Sequence, residues 1–473
     1  MTDVEEHKLH APDSSVMALP SLHDEEGELN YDFVTAIEQA VENADIQTLK
    51  RLTDDFHESD FGEILEALDA ELRPRLIELL GPDFDFTALT EVDDSVREGI
   101  LDDLGSEAVA EGVRDLDIDD AVYILEDLDE TEKADILGRI PAHERIALQR
   151  ALEYPEDTAG RLMQGEFIAV PPFWSVGQTI DFMRETADLP DTFYEIFVTD
   201  PAAKLIGAVP LDRLLRSKRP TIISDIMTSD PDMVEATEQQ EDIAHLFQRY
   251  NLVSAAVVDE SKRLVGVLTI DDIVDVIDEE ADADIKALGG VMADEEISDS
   301  VLSTLKSRFT WLFLNLCTSL VAASVIGMFR HSLEQMVALA VLMPMVASMG
   351  GNAGTQTMTV AVRALATRDL GRNNAWRVLQ RELLVGLCNG LAFATLMGSI
   401  AIVWFGIGSL GPVIGMAVIS TMIAAAFGGI VIPLTLERFR VDPAVSSGPL
   451  VTTVTDIVGF FAFLGIATAW FRL

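Results

Sequence analysis

One carboxylate stands alone in an apolar segment near the C-terminus. It is Asp456, within Pro449-Leu-Val-Thr-Thr-Val-Thr-Asp456-Ile-Val-Gly459. An ionisable group at bilayer depth is expensive unless it faces water, a cation or a partner, so it marks a functional site by default. Thr452, Asp456 and Gly459 are four and then three residues apart, which puts them on one helix face, with Thr455 beside the acid. A face of hydroxyl, carboxylate and bare backbone suits a hydrated cation. A second polar group lies in Pro344-Met-Val-Ala-Ser-Met-Gly350-Gly351-Asn352-Ala-Gly354-Thr-Gln356. Asn352 and Gln356 are four apart and share a face. The proline and the glycine pair are expected to break the helix here, which is tolerated where the freed backbone faces protein or water. Helix packing through small residues is the alternative.

The choice of cation follows from ligand hardness. The seven histidines (7, 10, 23, 57, 143, 245, 331) lie outside the apolar depths, and the two cysteines, Cys317 and Cys388, have no metal-binding spacing. Zinc and copper are poor candidates. Carboxylate, hydroxyl and carbonyl oxygens suit magnesium, calcium or manganese, and magnesium keeps most of its water while using few carboxylates. One Asp per chain, doubled in a symmetric dimer, fits a mostly hydrated ion.

The elements that position these residues are apolar stretches of about 20 residues, long enough to span a bilayer as helices. Five occur, at 309–329, 334–362, 383–405, 413–436 and 448–471. Lys306 and Arg308 precede the first. Arg363, Arg368, Arg372, Arg377 and Arg381 separate the second from the third, and Arg438 and Arg440 the fourth from the fifth. The other side has little more than Arg330 and Arg472. The positive-inside rule then makes the large N-terminal part cytoplasmic and puts the C-terminus outside.

The first 300 residues hold 74 of the 80 acids but 22 of the 33 Lys and Arg residues. That surface attracts cations, or solvates the protein in a salty habitat. Nucleic acid is excluded as a partner, because phosphate binding needs a basic stripe. The polar N-terminus has no signal-peptide core, and residues 1–29 are expected to be a disordered acidic tail. Residues 30–160 read as short amphipathic helices, such as those carrying Ile64-Leu65, Ile124-Leu125 and Ile136-Leu137, in a superhelix.

Residues 161–220 and 221–281 repeat one pattern of strands, hairpin glycine and closing helix. Ile196-Phe-Val198 and Gly207 in the first copy match Val257-Val258 and Gly266 in the second. The layout resembles a tandem CBS pair. That family's nucleotide pattern, Gly-x-x-Thr/Ser-x-x-Asp, is met in copy two by Gly266, Thr269 and Asp272. The resemblance implies a hydroxyl for phosphate and a carboxylate for ribose, with ATP or another adenine nucleotide as ligand. Copy one departs, with Pro210 and Arg213 in those places.

The order is a helical acidic domain, a CBS pair, an acidic connecting helix (282–307) and a membrane domain (308–473). The motifs are Pro-x5-Gly-Gly-Asn-x-Gly-x-Gln, a final Thr-Asp-x-x-Gly, and Val441-Asp442-Pro443-Ala. The whole resembles the MgtE-type magnesium channels. The fold class expected is multidomain: an all-α N-terminal superhelix, an α/β CBS pair, a connecting helix and an all-α membrane domain of five transmembrane helices. The resemblance implies a homodimer in the cell membrane with a pore at the subunit interface and Asp456 at its ion site. It also implies regulatory magnesium on Asp119, Glu241, Asp272, Asp275, Glu280, Asp284 and Asp442, closing the pore when cytosolic magnesium is high. Tyr123, Gln239, Asn251 and Ala283 stand where acids are expected, so the sensor sites are expected to be fewer or rearranged. A membrane-tethered CBS sensor gives no reason for Asp456, and no enzyme motif appears. Within transport, cobalt, manganese or calcium as the ion, and cation-coupled exchange, stay open.

Overall fold

The computed structural model describes residues 21–472, other than 25, 55, 127, 187, 188, 191, 294, 298, 299 and 372. Most of the expected tail, His7, His10 and Arg372 lie outside the described residues. The chain divides into two compact units, Met1–Ile273 and Val274–Leu473.

The first unit opens with the helical domain. Its helices are α1 (Tyr31–Glu42), α2 (Ile46–Leu52), α3 (Glu58–Ala67), α4 (Arg73–Leu80), α5 (Asp94–Leu104), α6 (Ser106–Gly112), α7 (Ile118–Glu126), α8 (Glu130–Arg139) and α9 (Ala142–Leu152). Asn30 and Asp45 cap α1 and α2 by accepting the N–H groups of Asp32 and Thr48, donors that helix geometry would otherwise leave unpaired. Ile64, Leu65, Ile124 and Leu125 are fully buried, and Ile136 and Leu137 nearly so, as their spacing predicts. A chain of edge-on and tilted rings, Phe33, Phe56, Phe61, Phe84 and Phe86, runs through this core.

After α10 (Ala159–Leu162) come the two matched copies. The first holds β1 (Ala169–Val170), α11 (Val176–Glu185), β2 (Glu195–Thr199), β3 (Leu205–Pro210) and α12 (Leu211–Arg216). After α13 (Ile223–Ile226), the second holds β4 (Met233–Glu235), α14 (Gln240–Tyr250), β5 (Ser254–Val258), β6 (Leu264–Thr269) and the start of α15 (Ile270–Gly289). In each copy a parallel pair joins an antiparallel hairpin, and the register shifts at the same point, Val198/Thr199 and Val257/Val258. The repeated glycine has a steric cause. A Cβ on Gly207 would lie 2.8 Å from Met227 Sδ and the Thr228 carbonyl, and one on Gly266 would lie 2.6 Å from Met163 Sδ. A crossing segment bridges each hairpin there, Thr228 to Ala208 and Gln164 to Val267.

The second unit holds most of α15, then α16 (Val301–Met328), α17 (Arg330–Gln335), α18 (Val337–Ala366), α19 (Ala375–Phe405), α20 (Leu410–Arg438) and α21 (Pro443–Phe471). Among the described residues, five of these helices are long and apolar enough to cross a membrane. Central α20 buries Val413, Ile414, Ala417 and Val418 against Leu339, Leu342 and Val346 of α18 and Phe463 and Leu464 of α21.

Two expectations change. Span two is one continuous helix through Pro344 and Gly350-Gly351. Proline removes one backbone donor, and Gly350, together with Gly354, serves close packing, while Gly351 meets open space. A Cβ on Gly350 would lie 2.3 Å from Thr421 Cγ2, and one on Gly354 would lie 2.8 Å from Val451 Cγ1. The connecting helix is also not a separate element. The closing helix of the second CBS copy continues to Gly289, Gly290 turns at φ +75°, and Ser300 caps α16.

Candidate functional site

The six membrane residues singled out by type fall into two groups. Thr452, Asn352 and Gln356 are exposed on the single subunit, and Asp456 is half-buried. Thr455 and Gly459 are buried. A Cβ on Gly459 would lie 3.4 Å from Thr421 and 3.9 Å from Val346, an ordinary contact distance. Thr455 packs against Gly350 and Gly354 of α18. Its hydroxyl donates to the Thr452 carbonyl (2.9 Å), and the Thr452 hydroxyl donates to that of Gly448 (3.0 Å). No described side chain pairs with Asp456 through a hydrogen bond or an ion pair. One helix thus carries an uncompensated carboxylate next to an exposed hydroxyl, and its neighbour α18 carries two exposed amides.

Where α18 ends and α21 begins, the last turns of α15 make a small core. Ala287 and Leu288 pack with Met358 and Val362 of α18, Ile432 of α20 and Ala444, Val445 and Val451 of α21. Asp284 lies one turn earlier on α15, 3.8 Å from Arg363 at the end of α18. Burial pushes its carboxyl above the usual range, and Asp442 adds to this, while Arg363 opposes it. Asp442 is exposed and caps α21 by accepting the Ala444 N–H at 2.7 Å. Described residues after α15 are tied to the helices on either side. Glu295 is buried and accepts from Arg308 Nε (2.7 Å) and the Ser307 hydroxyl (3.1 Å), and Lys286 donates to the Ala293 carbonyl (3.0 Å).

In the first unit, acids from different elements converge. Asp119 at the start of α7 faces Asp272 at the start of α15, and one Asp119 carboxylate oxygen is buried without a hydrogen-bond partner. Burial first, then Asp272, Asp120 and Asp117, push the Asp119 carboxyl well above its usual range. Asp120 is pushed up to about 7, chiefly by burial and then by Asp117 and Asp272. Oxygen donors at mutual repulsion fit a hard divalent cation. Among the described residues, no three His, Cys, Asp or Glu groups stand in ligand geometry. Glu241 and Asp275 are exposed on α14 and α15, and Glu280 is half-buried.

Two substitutions at expected acids have local causes. The Arg97 guanidinium, buried to 2% exposure, stacks 4.4 Å over the Tyr123 ring, an internal cation in contact with the ring. Asn251 ends α14 in the left-handed conformation (φ 53°), which Asn tolerates well.

The expected nucleotide triplet is only partly open. Gly266 is covered by Met163 and Gln164. The Thr269 hydroxyl donates to Asp272 (2.7 Å), and the Gln164 amide approaches both. A small cleft does lie between the two copies, with Thr269 on its wall. Sequence reasoning missed its other walls, among them Phe167, Phe193, Glu195 and Ser254. They come from four places in the chain, and no short motif joins them.

A family model described as divalent cation transporter, MgtE, matches residues 343–466. The model of the MgtE intracellular N domain matches 56–157, and that of the CBS domain matches 223–279. The chain is 33% identical over 325 residues to a magnesium transporter MgtE of Enterococcus faecalis, spanning 69% of this chain and 72% of that one. It is 30% identical over 449 residues to the one of Thermus thermophilus, spanning 91% and 97%. A third relative, the magnesium transporter MgtE of Bacillus subtilis, is 29% identical over 425 residues, spanning 90% and 94%.

Proposed function

The chain belongs to the MgtE family, and on that premise we propose that it is a multi-pass membrane protein that conducts magnesium through a pore closed by cytosolic magnesium. The observation that carries the reading is Asp456, a half-buried carboxylate on an apolar helix with no described partner. Such a group is retained where a cation compensates for it. Asn352, Gln356 and Thr452 are exposed polar groups on α18 and α21. Lipid is a poor neighbour for them, and a second copy of the chain is a good one. A homodimer would enclose them in a wet pore with two Asp456 carboxylates. One carboxylate from each side, with hydroxyls and amides, suits a magnesium ion that keeps its water.

The gate reading rests on the mouth of the bundle. The last turns of α15 pack on the cytoplasmic ends of α18, α20 and α21. Asp119, Asp120 and Asp117 beside α7 and Asp272 at the start of α15 repel one another, and bound divalent ions would offset that repulsion and favour the closed arrangement. Asp119 and Asp272 are the best-supported ligands, because one Asp119 oxygen is buried without a hydrogen-bond partner and its carboxyl interacts with that of Asp272. Asp284 and Asp442 would serve at the membrane face, and Glu241, Asp275 and Glu280 along α14 and α15. The N-terminal domains are cytoplasmic and the C-terminus is outside on this reading. The CBS pair would add control by an adenine ligand.

Flux into liposomes carrying the purified chain tests both parts. Magnesium uptake should be abolished in Asp456→Ala. In the unaltered protein it should fall as magnesium on the cytoplasmic face rises. Asp119→Asn should raise the concentration needed for closure and leave open-pore flux intact. Uptake that survives Asp456→Ala would sink the pore assignment. Competition with cobalt, manganese and calcium in the same assay decides the ion.

A further inference from the structure

Glu295 follows α15, precedes α16 and is gripped from both sides. Arg308, early in α16, donates to its carboxylate from Nε (2.7 Å) and pairs with it through Nη2 (2.5 Å). The Ser307 hydroxyl is a third donor at 3.1 Å. Lys286, near the end of α15, adds positive charge from the other side and holds the Ala293 carbonyl at 3.0 Å. A buried carboxylate is tolerated only with partners of this kind, and bonds to an ionised group are the strong ones. The Arg308 hydrogen bond, then the Ser307 bond and the charges of Arg308 and Lys286, hold the Glu295 carboxyl below the usual carboxylate range, so it is ionised at neutral pH. The helices on its two sides do different things. Ala287 and Leu288 of α15 pack on α18, α20 and α21. Helix α16 packs along α21, which carries Asp456, and the Phe329 ring at its end meets Phe461 edge-on at 5.8 Å.

We propose that Glu295 is a positioning residue of the gate, whose grip on Arg308 holds α15 against the bundle and ties that docking to α16. The proposal rests on the reading of α15 as the element that closes the pore, and it names residues that keep it closed. The clasp is made in the arrangement in which α15 meets the bundle, so it favours that arrangement over one in which α15 has withdrawn. With the Glu295 charge removed, the hydrogen bonds weaken, and bound magnesium must supply the missing free energy. Closure then needs more of it. The Arg308 side chain is 58% exposed, so neutralising Glu295 leaves it to water and strands no buried cation.

Magnesium flux through liposomes carrying the full chain, at a series of magnesium concentrations on the cytoplasmic face, tests it. Glu295→Gln should leave flux at low magnesium unchanged and raise the concentration for half-closure about fivefold. Arg308→Gln should do the same, and the double substitution should add little, because both remove one interaction. Glu295→Asp, which keeps the charge on a shorter stem, should fall between. Melting midpoints of the same preparations report the structural part alone. A lowered midpoint with an unmoved closing concentration would make Glu295 a loop staple and overturn the proposal, with the gate reading untouched. Closure of Glu295→Gln at lower magnesium would also overturn it, since the clasp would then favour the open pore. If the unaltered chain conducts regardless of magnesium, the gate reading fails and the proposal falls with it.

Discussion

At the scale of single residues, charge and shape can be separated. Asp456→Asn keeps the size of the side chain and removes its charge. If the carboxylate binds the ion, flux should fall by about tenfold or more, since a charge pair a few ångströms apart is worth about 1–4 kcal/mol between water and a protein surface. If Asp456 served only packing, Asn would be silent in the liposome assay. Glu195 offers a second test, through pH. Its folded-state carboxyl titrates above the usual range. Between its unfolded and folded titrations the native state therefore holds more protons than the unfolded chain. Stability then falls as pH rises through that window. Thermal melts should show this decline in the unaltered chain. Glu195→Gln should flatten it and raise the midpoint at neutral pH, and an unchanged slope would remove Glu195 from the account.

At the scale of elements, the membrane bundle depends on close helix approach. Gly350 and Gly354 let α18 meet α20 and α21, where a methyl group would crowd Thr421 and Val451. Gly350→Val should destabilise the bundle by roughly 1–3 kcal/mol through overpacking. A lower midpoint of thermal aggregation in detergent would register this, and an unchanged midpoint would mean that the helices part easily. The same glycines show what was legible beforehand. Hydropathy marks all five spans, because twenty apolar residues have few other uses. The continuity of span two was not legible. Glycines that break a helix and glycines that pack one look alike until their neighbours, 70 to 105 residues away, are known. The internal repeat was readable from Gly207 and Gly266, but its cause lies in the segments that cross them. The run from Ile270 to Gly289 was readable as helical, and its single unbroken course was not, because domain boundaries drawn from composition suggested a second start. The acid at Asp119 was flagged only through resemblance. Its buried oxygen and its approach to Asp272 depend on packing between residues 153 positions apart.

At the scale of the whole chain, the acidic front half poses a question of ion type. The 74 acids among the first 300 residues repel one another, and any salt relieves part of that repulsion by screening over about 8 Å at 0.15 M. A habitat adaptation would answer to ionic strength alone. A sensor answers to divalent ions that bridge carboxylates in pairs such as Asp119 and Asp272. The two accounts separate in melting experiments at matched ionic strength. Magnesium chloride should raise the midpoint well beyond potassium chloride, because binding to the native state stabilises it by mass action and screening does not. Asp119→Asn should remove much of the magnesium increment and leave the potassium response unchanged. Equal responses to the two salts would assign the acids to solvation, and the closure of the pore would then need another cause.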